Sequence, residues 1–586
     1  MNVQSLIDES VELFNKKKFD EAIEKLNQAL DGIEDKNSQI QEQNEIQAGL
    51  GLCYLEQAKK AQGKESEQLF GQAVEHFHRL LEFAKQLADK QNGLQEQSNA
   101  QYWLGHCYLE QAKKAQGKES EQLFGQAVEH FQRLLEFAKQ LEDKQNCLQE
   151  QIYAQSWLGR CYFEQAKKAQ GKDSEQLFGL AVEHHHQQLS LAEQLEDKQN
   201  SLQEQNNAQS WLGRCYFRQA KIQEEWESYF EWKKQKIQRD LFQTQEGDLV
   251  KAITTILAVL NILPMELGLI PLAHYTSPFV CEKLFGIDSD QTSPMRMGSS
   301  TYMNDPTEGE GLMELLNLQD LELENKADCP VYNAFFTCFS SRVNDLNQFR
   351  LYGKENGVEA SGCCLVFNKT GKWLKDSNVL ESFRRLTDKS DETPEKSAEE
   401  SDPLDVNLPL YQVVYITYKD EYIAKEKCSI WLQNKNNSKF GIRLKYFVNK
   451  DWHECRIHKL EDALNQLINI FKGKANINDE DRKALEYIRY LFKDFAFRDE
   501  EEFRLLKIEQ IGSDKVEYCE ATKSIYLPYA DVRDIVDEVI LGTNYEKSGK
   551  ERKAEVFQHL MRKHYPNVKV SRSSLPINAN PPIKKD

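Results

Sequence analysis

The sequence predicts a multidomain protein in which an all-α helical-repeat solenoid is followed by an α+β domain. Two observations predict this fold class. A long segment of the first third recurs at a spacing of 54 residues, from Cys53 to Cys107, Cys161 and Cys215. Beyond about residue 265 the apolar pattern changes from helical spacing to the short alternating runs that are typical of strands.

The same patterns set the expected domain boundaries. The repeats occupy residues 1–240, a connecting helix 241–265 and the α+β domain 266–573. Because 386–407 is rich in Lys, Ser, Glu, Asp and Pro, we expect a disordered insertion there. Residues 574–586 are expected to form a flexible tail.

Each repeat carries the motif L-G-x-C-Y, at Leu50–Tyr54, Leu104–Tyr108, Leu158–Tyr162 and Leu212–Tyr216. Each period predicts two helices. A glycine at the same position of each period (Gly63, Gly117 and Gly171) is expected to end the first helix. A serine three residues later (Ser66, Ser120 and Ser174) is expected to cap the second helix.

The spacing L-G-x-x-Y followed by A-x-x-x-(F/H) resembles the tetratricopeptide pattern, with an insertion of about three helical turns at the hairpin tip. The segment Ser5–Leu30 resembles one further unit. This resemblance implies a concave surface that binds a protein partner. A spacer or a dimerisation arm is the alternative. The run His184-His185-His186 is expected to be a solvated helix face and not a metal site, because adjacent helical residues point in different directions.

Composition and charge narrow the function. The formal charge of −19 disfavours a general binder of nucleic acid or anionic membranes, although a local basic groove is compatible with it. The most apolar run, Ala252–Leu269, is interrupted by polar residues and proline, so no membrane span is expected. Thirteen cysteines without a C-x-x-C pair, and no visible signal peptide, indicate a reducing compartment. We therefore expect a cytoplasmic protein, or one that is delivered into a host cell without a classical signal peptide.

Strands and helices alternate irregularly in the second half. The predicted strands are Phe335–Ser340, Gly362–Phe367, Tyr411–Tyr418, Glu502–Ile508, Ser524–Tyr529 and Ile535–Leu541. The predicted helices are Glu246–Leu263, Leu460–Phe471, Asp479–Phe492 and Lys550–His564. No dinucleotide-binding, Walker-type or nucleophile-elbow glycine motif is present in the sequence.

Several separated motifs resemble a bacterial domain family of unknown function. They are His274–Ser277, Met303–Glu308, Thr337–Ser340, Asn344–Gly357, Gly362–Phe367, Glu500–Leu505, Asp537–Gly542 and Lys569–Ser573. Their order covers nearly all of 270–573. One departure is N-Q-F-R at Asn347–Arg350, where that family usually has Met-Trp.

A second resemblance is to the ADP-ribosyltransferase fold, in which a first strand carries His or Arg, a middle strand Tyr or Ser, and a late strand a catalytic Glu. Here His274-Tyr275-Thr276 is similar to the first element and Glu500-x-Glu502 to the last. Tyr302 is similar to the middle element, with Ser299 or Ser300 as alternatives. The resemblance implies NAD as a substrate. No metal is expected, because His453, Cys455 and His458 lack a fourth ligand.

The resemblance also implies roles for single residues. Glu502 would stabilise the ribosyl cation, while His274 and Tyr302 would hold NAD. Tyr275, Thr276, Asn304 and Asp305 would also contact the dinucleotide. Glu500 or Arg504 would orient the acceptor, which could be a protein, a nucleic acid or water.

The residue pattern by itself leaves other interpretations open. Because strand residues two apart share a face, Glu500, Glu502 and Arg504 should project together, in a cleft or on the surface. A rival carboxylate is Glu454 in W-H-E-C-R, and His453, Cys455 and His458 lie nearby without a fourth metal ligand. The alternative to an enzyme is a scaffold or regulatory protein whose second half only binds a ligand.

Overall fold

The computed structural model describes residues 3–33, 39–87, 89–242, 247–287, 293–302, 305, 307–318, 332–367, 370–371, 373–374, 408–417, 428–472, 479–520, 522–548 and 552–577. The predicted insertion at 386–407 and residues 578–586 of the predicted tail lie outside this set. The chain divides into two compact units, Met1–Trp232 and Lys233–Asp586.

The first unit is a run of consecutive helices, which confirms a helical-repeat region. The helices are α1 (Val3–Asn15), α2 (Phe19–Asp31), α3 (Ile40–Lys60), α4 (Gly63–Ala84), α5 (Lys90–Lys114), α6 (Gly117–Ala138), α7 (Lys144–Lys168), α8 (Gly171–Ala192), α9 (Lys198–Gln223) and the start of α10 (Glu227–Phe242). Each repeat pairs a first helix with a second, and the second packs against the next repeat.

The glycine of L-G-x-C-Y is required by packing between the two helices of a repeat. A Cβ atom on Gly105 would lie 2.8 Å from the ring of Phe131, and one on Gly51 would lie 2.6 Å from Phe77. The cysteine of the same motif is buried and free in all four copies, as a packing role predicts. The motif therefore marks the closest approach of each helix pair.

The third repeat corrects the expectation for the histidine run. His185 is completely buried, because its ring occupies the position of Phe131 and packs over Gly159. It also stacks on Trp211 at 5.7 Å. His184 Nδ1 donates to Oε1 of Gln155 at 2.7 Å. The prediction of a solvated helix face was therefore wrong for His185, whereas His186 is exposed.

The predicted helix ends were also wrong. Helix α3 ends at Lys60, and Gly63 begins α4 with a φ of 59°, which favours glycine. Ser66 lies inside the first turn, where its hydroxyl donates to the carbonyl of Ala58 at 2.8 Å. Side-chain caps occur instead at the first helices of the repeats, where Asp89, Asp143 and Asp197 each accept a backbone N–H.

A lysine connects consecutive repeats by capping the preceding first helix. Lys114 donates to the carbonyls of Ala58, Lys59 and Ala61 at 2.7, 3.0 and 2.9 Å. Lys168 makes the same contacts one repeat later. A cation suits these carbonyls, since the negative end of the helix dipole and several unpaired acceptors meet there.

The second unit is an α+β unit that contains two sheets in its described residues. Its strands are β1 (Asn261–Ile262), β2 (Ala273–Thr276), β3 (Arg296–Ser299), β4 (Tyr332–Ser340), β5 (Cys363–Phe367), β6 (Leu410–Gln412), β7 (Val414–Thr417), β8 (Ile430–Gln433), β9 (Lys439–Arg443), β10 (Phe492–Asp494), β11 (Glu502–Gln510), β12 (Glu517–Cys519), β13 (Ser524–Pro528), β14 (Val536–Leu541) and β15 (Lys569–Arg572). Its helices are α11 (Asp248–Leu260), α12 (Pro278–Phe285), α13 (Glu310–Leu316), α14 (Leu346–Leu351), α15 (Lys450–Lys472), α16 (Asp479–Arg489) and α17 (Ala554–His564).

The larger sheet has the order β1-β6-β11-β4-β2-β5-β14-β15, with β3, β13 and β12 continuing from β4. The smaller sheet has the order β10-β7-β9-β8. Each of the six segments predicted as strands contains strand structure. The segment predicted as one strand at Tyr411–Tyr418 was wrong in one respect, because it is divided between β6 of the larger sheet and β7 of the smaller sheet. Helix α15 begins earlier than predicted. None of the helices in the described ranges combines the length and the apolar character that crossing a membrane requires.

Candidate active site

The larger sheet opens between β2 and β4. Strand β2 pairs with β5 at four positions but with β4 only at Ala273 and Ser340. On its other side β4 pairs with β11 along its whole length, and Ser340 lies opposite Glu502. The strand that carries His274 and the strand that carries Glu502 therefore both pair with β4, as does β3.

His274 lies at this opening. Its Nδ1 is 2.8 Å from the carbonyl oxygen of Cys338 in β4. A carbonyl only accepts, so Nδ1 carries the proton and Nε2 keeps a lone pair. Burial lowers the pKa of His274, and the bond to Cys338 opposes that effect only in part. The imidazole is thus a neutral hydrogen-bonding group with a fixed orientation.

A cavity of about 280 Å³ occupies the opening and reaches residues of both sheet faces. Its polar lining includes His274 from β2 together with Glu500, Glu502 and Arg504. The full lining is Ala273, His274, Tyr275, Arg296, Gly298, Asp305, Glu308, Phe336, Thr337, Cys338, Phe339, Ser340, Gln348, Tyr352, Lys493, Glu500, Glu502 and Arg504. Six of the residues selected from the sequence for this site line the cavity: His274, Tyr275, Asp305, Glu500, Glu502 and Arg504.

Glu502 is the least exposed carboxylate of the cavity, with 3% of its surface accessible. Arg504 donates to it from Nε at 2.5 Å and from Nη2 at 3.0 Å, and Lys493 donates to it at 2.8 Å. Burial by itself raises the pKa of Glu502, but Arg504 and Lys493 outweigh burial and hold it well below 4.5. Glu502 is therefore ionised across the physiological range.

Glu500 reaches the cavity by a different route from the one predicted. It ends a 3-10 turn at Phe495–Glu500, and Glu501 then adopts a φ of 48° before the strand begins. Alternation along a strand therefore relates Glu502 to Arg504 but not to Glu500. The Glu500 carboxylate accepts from Tyr352 Oη and from Lys493 Nζ, both at 2.6 Å.

The two carboxylates differ in their electrostatic surroundings. Burial raises the pKa of Glu500, and the proximity of Lys493 lowers it by a smaller amount, so that it stays above 4.5. Glu502 has the additional guanidinium of Arg504 and is shifted in the opposite direction. One carboxylate therefore binds a proton more readily than usual, and its neighbour binds one less readily.

Arg504 is fully buried. From the sequence, we expected it to lie in a cleft or on the surface. Besides Glu502, it donates to Glu308 at 2.5 Å and to the carbonyl of Tyr490 at 2.6 Å. Burial lowers the pKa of Arg504, and Glu308 and Glu502 more than compensate. Lys493 and Arg504 each contact two carboxylates, and this pairing stabilises the buried charges.

Other residues selected from the sequence play a structural part. The Tyr275 hydroxyl donates to the carbonyl of Arg342 at 2.6 Å and accepts from the backbone of Asp345. Thr276 is buried, and its strand position pairs with Cys363. Neither hydroxyl is directed to a ligand by these contacts.

The middle element was assigned to Tyr302, which lies in a 3-10 turn (Ser300–Tyr302) after β3. The position of its side chain, and all of Asn304, lie outside the described residues. The alternatives Ser299 and Ser300 both hydrogen-bond to Asn333, at 2.6 and 2.7 Å, and do not line the cavity.

The rival carboxylate Glu454 lies on α15 with His453, Cys455 and His458, so W-H-E-C-R is helical throughout. Glu454 does not line the cavity. Within the part of the chain that the structure describes, no three residues of the types His, Cys, Asp and Glu are grouped to hold a metal ion.

Sequence reasoning missed several polar residues of the cavity, and one of them, Arg296, lies outside every recognised motif. Gln348, Tyr352 and Cys338 lie within motifs that were recognised, but no spacing rule selects them there. One feature of the sequence could have drawn attention to Lys493: it is a single lysine directly after the apolar pair Leu491-Phe492. A buried lysine at such a position requires carboxylate partners.

Neither a family model nor a curated protein matches this sequence.

Proposed function

We propose that the second unit is an ADP-ribosyltransferase-like enzyme that cleaves the bond between nicotinamide and ribose in NAD. The observation that carries the proposal is that His274 and Glu502, distant in the sequence, line one cavity on strands that flank β4.

The chemistry requires a fixed negative charge beside the ribose. Cleavage of an N-glycosidic bond passes through a state like an oxocarbenium ion, and a preorganised carboxylate stabilises that charge. Glu502 meets this requirement, since Arg504 and Lys493 keep it ionised and in place. The neutral nicotinamide leaves with the electron pair of the broken bond.

The acceptor must lose a proton when it attacks the ribose carbon. Glu500 is suited to take that proton, because burial raises its pKa and a general base is most effective when its pKa approaches the working pH. If the acceptor is water, the same arrangement gives an NAD glycohydrolase. His274 Nε2 can accept a hydrogen bond from a ribose hydroxyl.

Arg504 acquires a positioning role in this scheme. Four of its five N–H donors bind Glu502, Glu308 and a backbone carbonyl, so its main role is to orient Glu502 and not to bind the acceptor. The cavity volume of about 280 Å³ lies near the lower end for small-ligand pockets. It therefore suits the nicotinamide riboside end of NAD, with the rest of the dinucleotide outside.

The decisive experiment follows nicotinamide release from NAD by the full-length protein. We expect Glu502→Gln to lower the rate by about 10²- to 10³-fold, the usual effect of removing one preorganised electrostatic contact. Glu509→Gln, on the same strand but outside the cavity, is the matched control and should leave the rate unchanged. Glu502→Asp keeps the charge and should also lose most of the activity, by retracting the carboxylate.

Equal rates for the wild type and Glu502→Gln would refute this assignment. Thermal unfolding of each variant separates loss of chemistry from loss of structure. A protein that releases no nicotinamide with water or any tested protein acceptor is not the enzyme proposed.

A second candidate is a non-catalytic scaffold or regulatory protein whose second unit binds a ligand. The hydrogen bonding of Glu502 favours this candidate. Both of its carboxylate oxygens already accept hydrogen bonds within the protein, from Lys493 and Arg504. Calorimetry distinguishes the two: binding of NAD without release of nicotinamide supports the scaffold.

The repeats, which resemble tetratricopeptide units, are proposed to recruit a protein target or regulator. Half-buried tryptophans recur in the first helices at positions 103, 157 and 211. The guanidinium of Arg160 lies 4.5 Å from the ring of Trp157 and 4.9 Å from that of Trp211, and its buried Nε has no hydrogen-bond partner in the part of the chain that the structure describes. Arg160→Ala should reduce labelling of a protein target while NAD cleavage with water is unchanged.

A further inference from the structure

Two buried polar atoms in the cavity wall have no hydrogen-bond partner among the described residues. They are Oδ2 of Asp305 and Nε2 of Gln348. The first can only accept while the carboxyl is ionised, and the second can only donate. Buried polar groups are nearly always paired, so two exceptions in one cavity point to a missing ligand.

Asp305 is held so that only one of its oxygens is satisfied. Its Oδ1 accepts from the backbone N–H of Thr307 at 2.9 Å and from the Thr307 hydroxyl at 2.7 Å. Its side chain is buried, with 6% of the residue exposed, and no cation of the described residues forms an ion pair with it. An unpaired buried carboxylate is costly, so it favours a ligand that brings a positive charge or a donor.

Gln348 is fixed by its helix. It lies on α14, its backbone N–H donates to the capping carboxylate of Asp345 at 3.1 Å, and 3% of the residue is exposed. Its Nε2 is buried and has no hydrogen-bond partner among the described residues. A ligand oxygen that accepts a hydrogen bond would satisfy it.

The remaining charges of the cavity are largely paired with one another. Lys493 and Arg504 are shared among Glu308, Glu500 and Glu502. Arg296, the third cation of the lining, donates to the Ser293 hydroxyl at 3.3 Å and lies over the ring of Tyr526 at 4.0 Å, and it forms no ion pair with Asp305. Asp305 and Gln348 thus offer a negative charge and a neutral donor to whatever binds.

We propose that Asp305 and Gln348 select the cationic, carbonyl-bearing end of the ligand, which is an N-substituted pyridinium carboxamide. Asp305 attracts the positive ring, and Gln348 donates to the carbonyl oxygen. This inference rests on the proposed function, because it names the part of NAD that enters the cavity. It adds a charge selectivity that the reaction alone does not require.

Three probes of similar size test it: the cation 1-methylnicotinamide, neutral nicotinamide and anionic nicotinate. Affinities of the full-length protein are measured by calorimetry at pH 7.5. We expect the cation to bind about tenfold more tightly than nicotinamide, and nicotinate to bind least, as expected from one buried carboxylate.

The variants assign the two contacts separately. Asp305→Asn should bring the affinities for the cation and for nicotinamide within about twofold of each other, because the charge is removed. Gln348→Met should weaken all three probes by about fivefold or more without changing their order, because each carries an acceptor oxygen. Asn347→Ala, the exposed neighbour of Gln348, is the control.

Each outcome decides between the two proposals. Charge-selective binding that Asp305→Asn abolishes, in a protein that releases no nicotinamide from NAD, supports the subsite and rejects the enzyme. Cleavage of NAD with unchanged selectivity in Asp305→Asn rejects the subsite and keeps the enzyme. Failure of all three probes to bind the wild type also overturns the subsite.

Discussion

Lys493 Nζ lies 2.8 Å from Oε2 of Glu502, and this buried ion pair joins the two sheets of the second unit. Lys493 belongs to β10 of the four-stranded sheet, whereas Glu502 begins β11 of the larger sheet. The same ammonium also binds Glu500. The position of the two carboxylates in the cavity therefore depends on how the two sheets pack.

Lys493→Met should destabilise the second unit strongly. It leaves Glu500 without a cation and Glu502 with only Arg504, and breaking a buried ion pair costs about 3–5 kcal/mol. Urea unfolding followed by tryptophan fluorescence measures the loss. Lys507→Met, which removes a more exposed lysine of β11, should cost less than about 1 kcal/mol. Equal effects of the two variants would show that the buried network does not stabilise the fold.

The two carboxylates should affect the pH dependence of stability in opposite directions. The pKa of Glu502 is depressed below 4.5, so its stabilisation is present above that pH and is lost as the pH falls. The pKa of Glu500 is raised above 4.5, so its contribution is greatest at low pH and falls as the pH rises through the shifted value.

Glu502→Gln and Glu500→Gln reveal these contributions. The difference in unfolding free energy between the wild type and Glu502→Gln should grow as the pH rises towards 4.5 and then stay constant. The difference for Glu500→Gln should instead shrink above pH 4.5. Urea titrations from acid to neutral pH measure both, and parallel profiles for the two variants would contradict the opposed shifts.

Gly105→Ala should destabilise the repeats, because the added Cβ would lie 2.8 Å from the Phe131 ring. Overpacking of this kind costs about 1–3 kcal/mol. Gly125→Ala is the matched control: a Cβ at Gly125 meets nothing within 4 Å, and alanine should stabilise that helix by up to about 1 kcal/mol. Helical circular dichroism during urea unfolding measures both, and a loss at both positions would contradict the packing argument.

Ile222→Lys should stabilise the last repeats. Position 222 corresponds to Lys114 and Lys168, but Ile222 is 48% exposed and cannot donate to the preceding helix end. A lysine there would reach the carbonyls near Ala166 and contribute about 1 kcal/mol. Ile222→Gln tests whether removing an exposed apolar side chain is sufficient, and Lys168→Met should show the converse loss. Equal stability of the Lys and Gln variants would argue against the cap.

Much of the fold follows from local patterns. The spacing of L-G-x-C-Y predicts the repeated helix pairs, since each copy places the same small residue and the same cysteine at the helix contact. Alternating apolar runs predict six strand segments, each of which contains strand structure. The helix ends were less predictable, because Ser66 bonds to the carbonyl of Ala58 in the previous helix and not to its own N-terminus.

The candidate site was predictable only in part. His274, Glu500, Glu502, Arg504 and Asp305 were selected because of the resemblance to ADP-ribosyltransferases, and they do line one cavity. Lys493 was missed, because its role arises from a contact with two carboxylates of another sheet. His185 was misjudged, because its burial depends on the space above Gly159 in the neighbouring helix.

The sequence by itself determined the order of the elements and the residue types at the opening of the larger sheet, because apolar periodicity and repeat spacing act along the chain. Only the tertiary structure decided that the charged residues are buried and paired, that Glu500 enters from a turn, and that Asp305 Oδ2 and Gln348 Nε2 have no hydrogen-bond partner among the described residues. Those properties depend on which groups meet across distant strands, and desolvation makes the energy of each charge depend on that meeting.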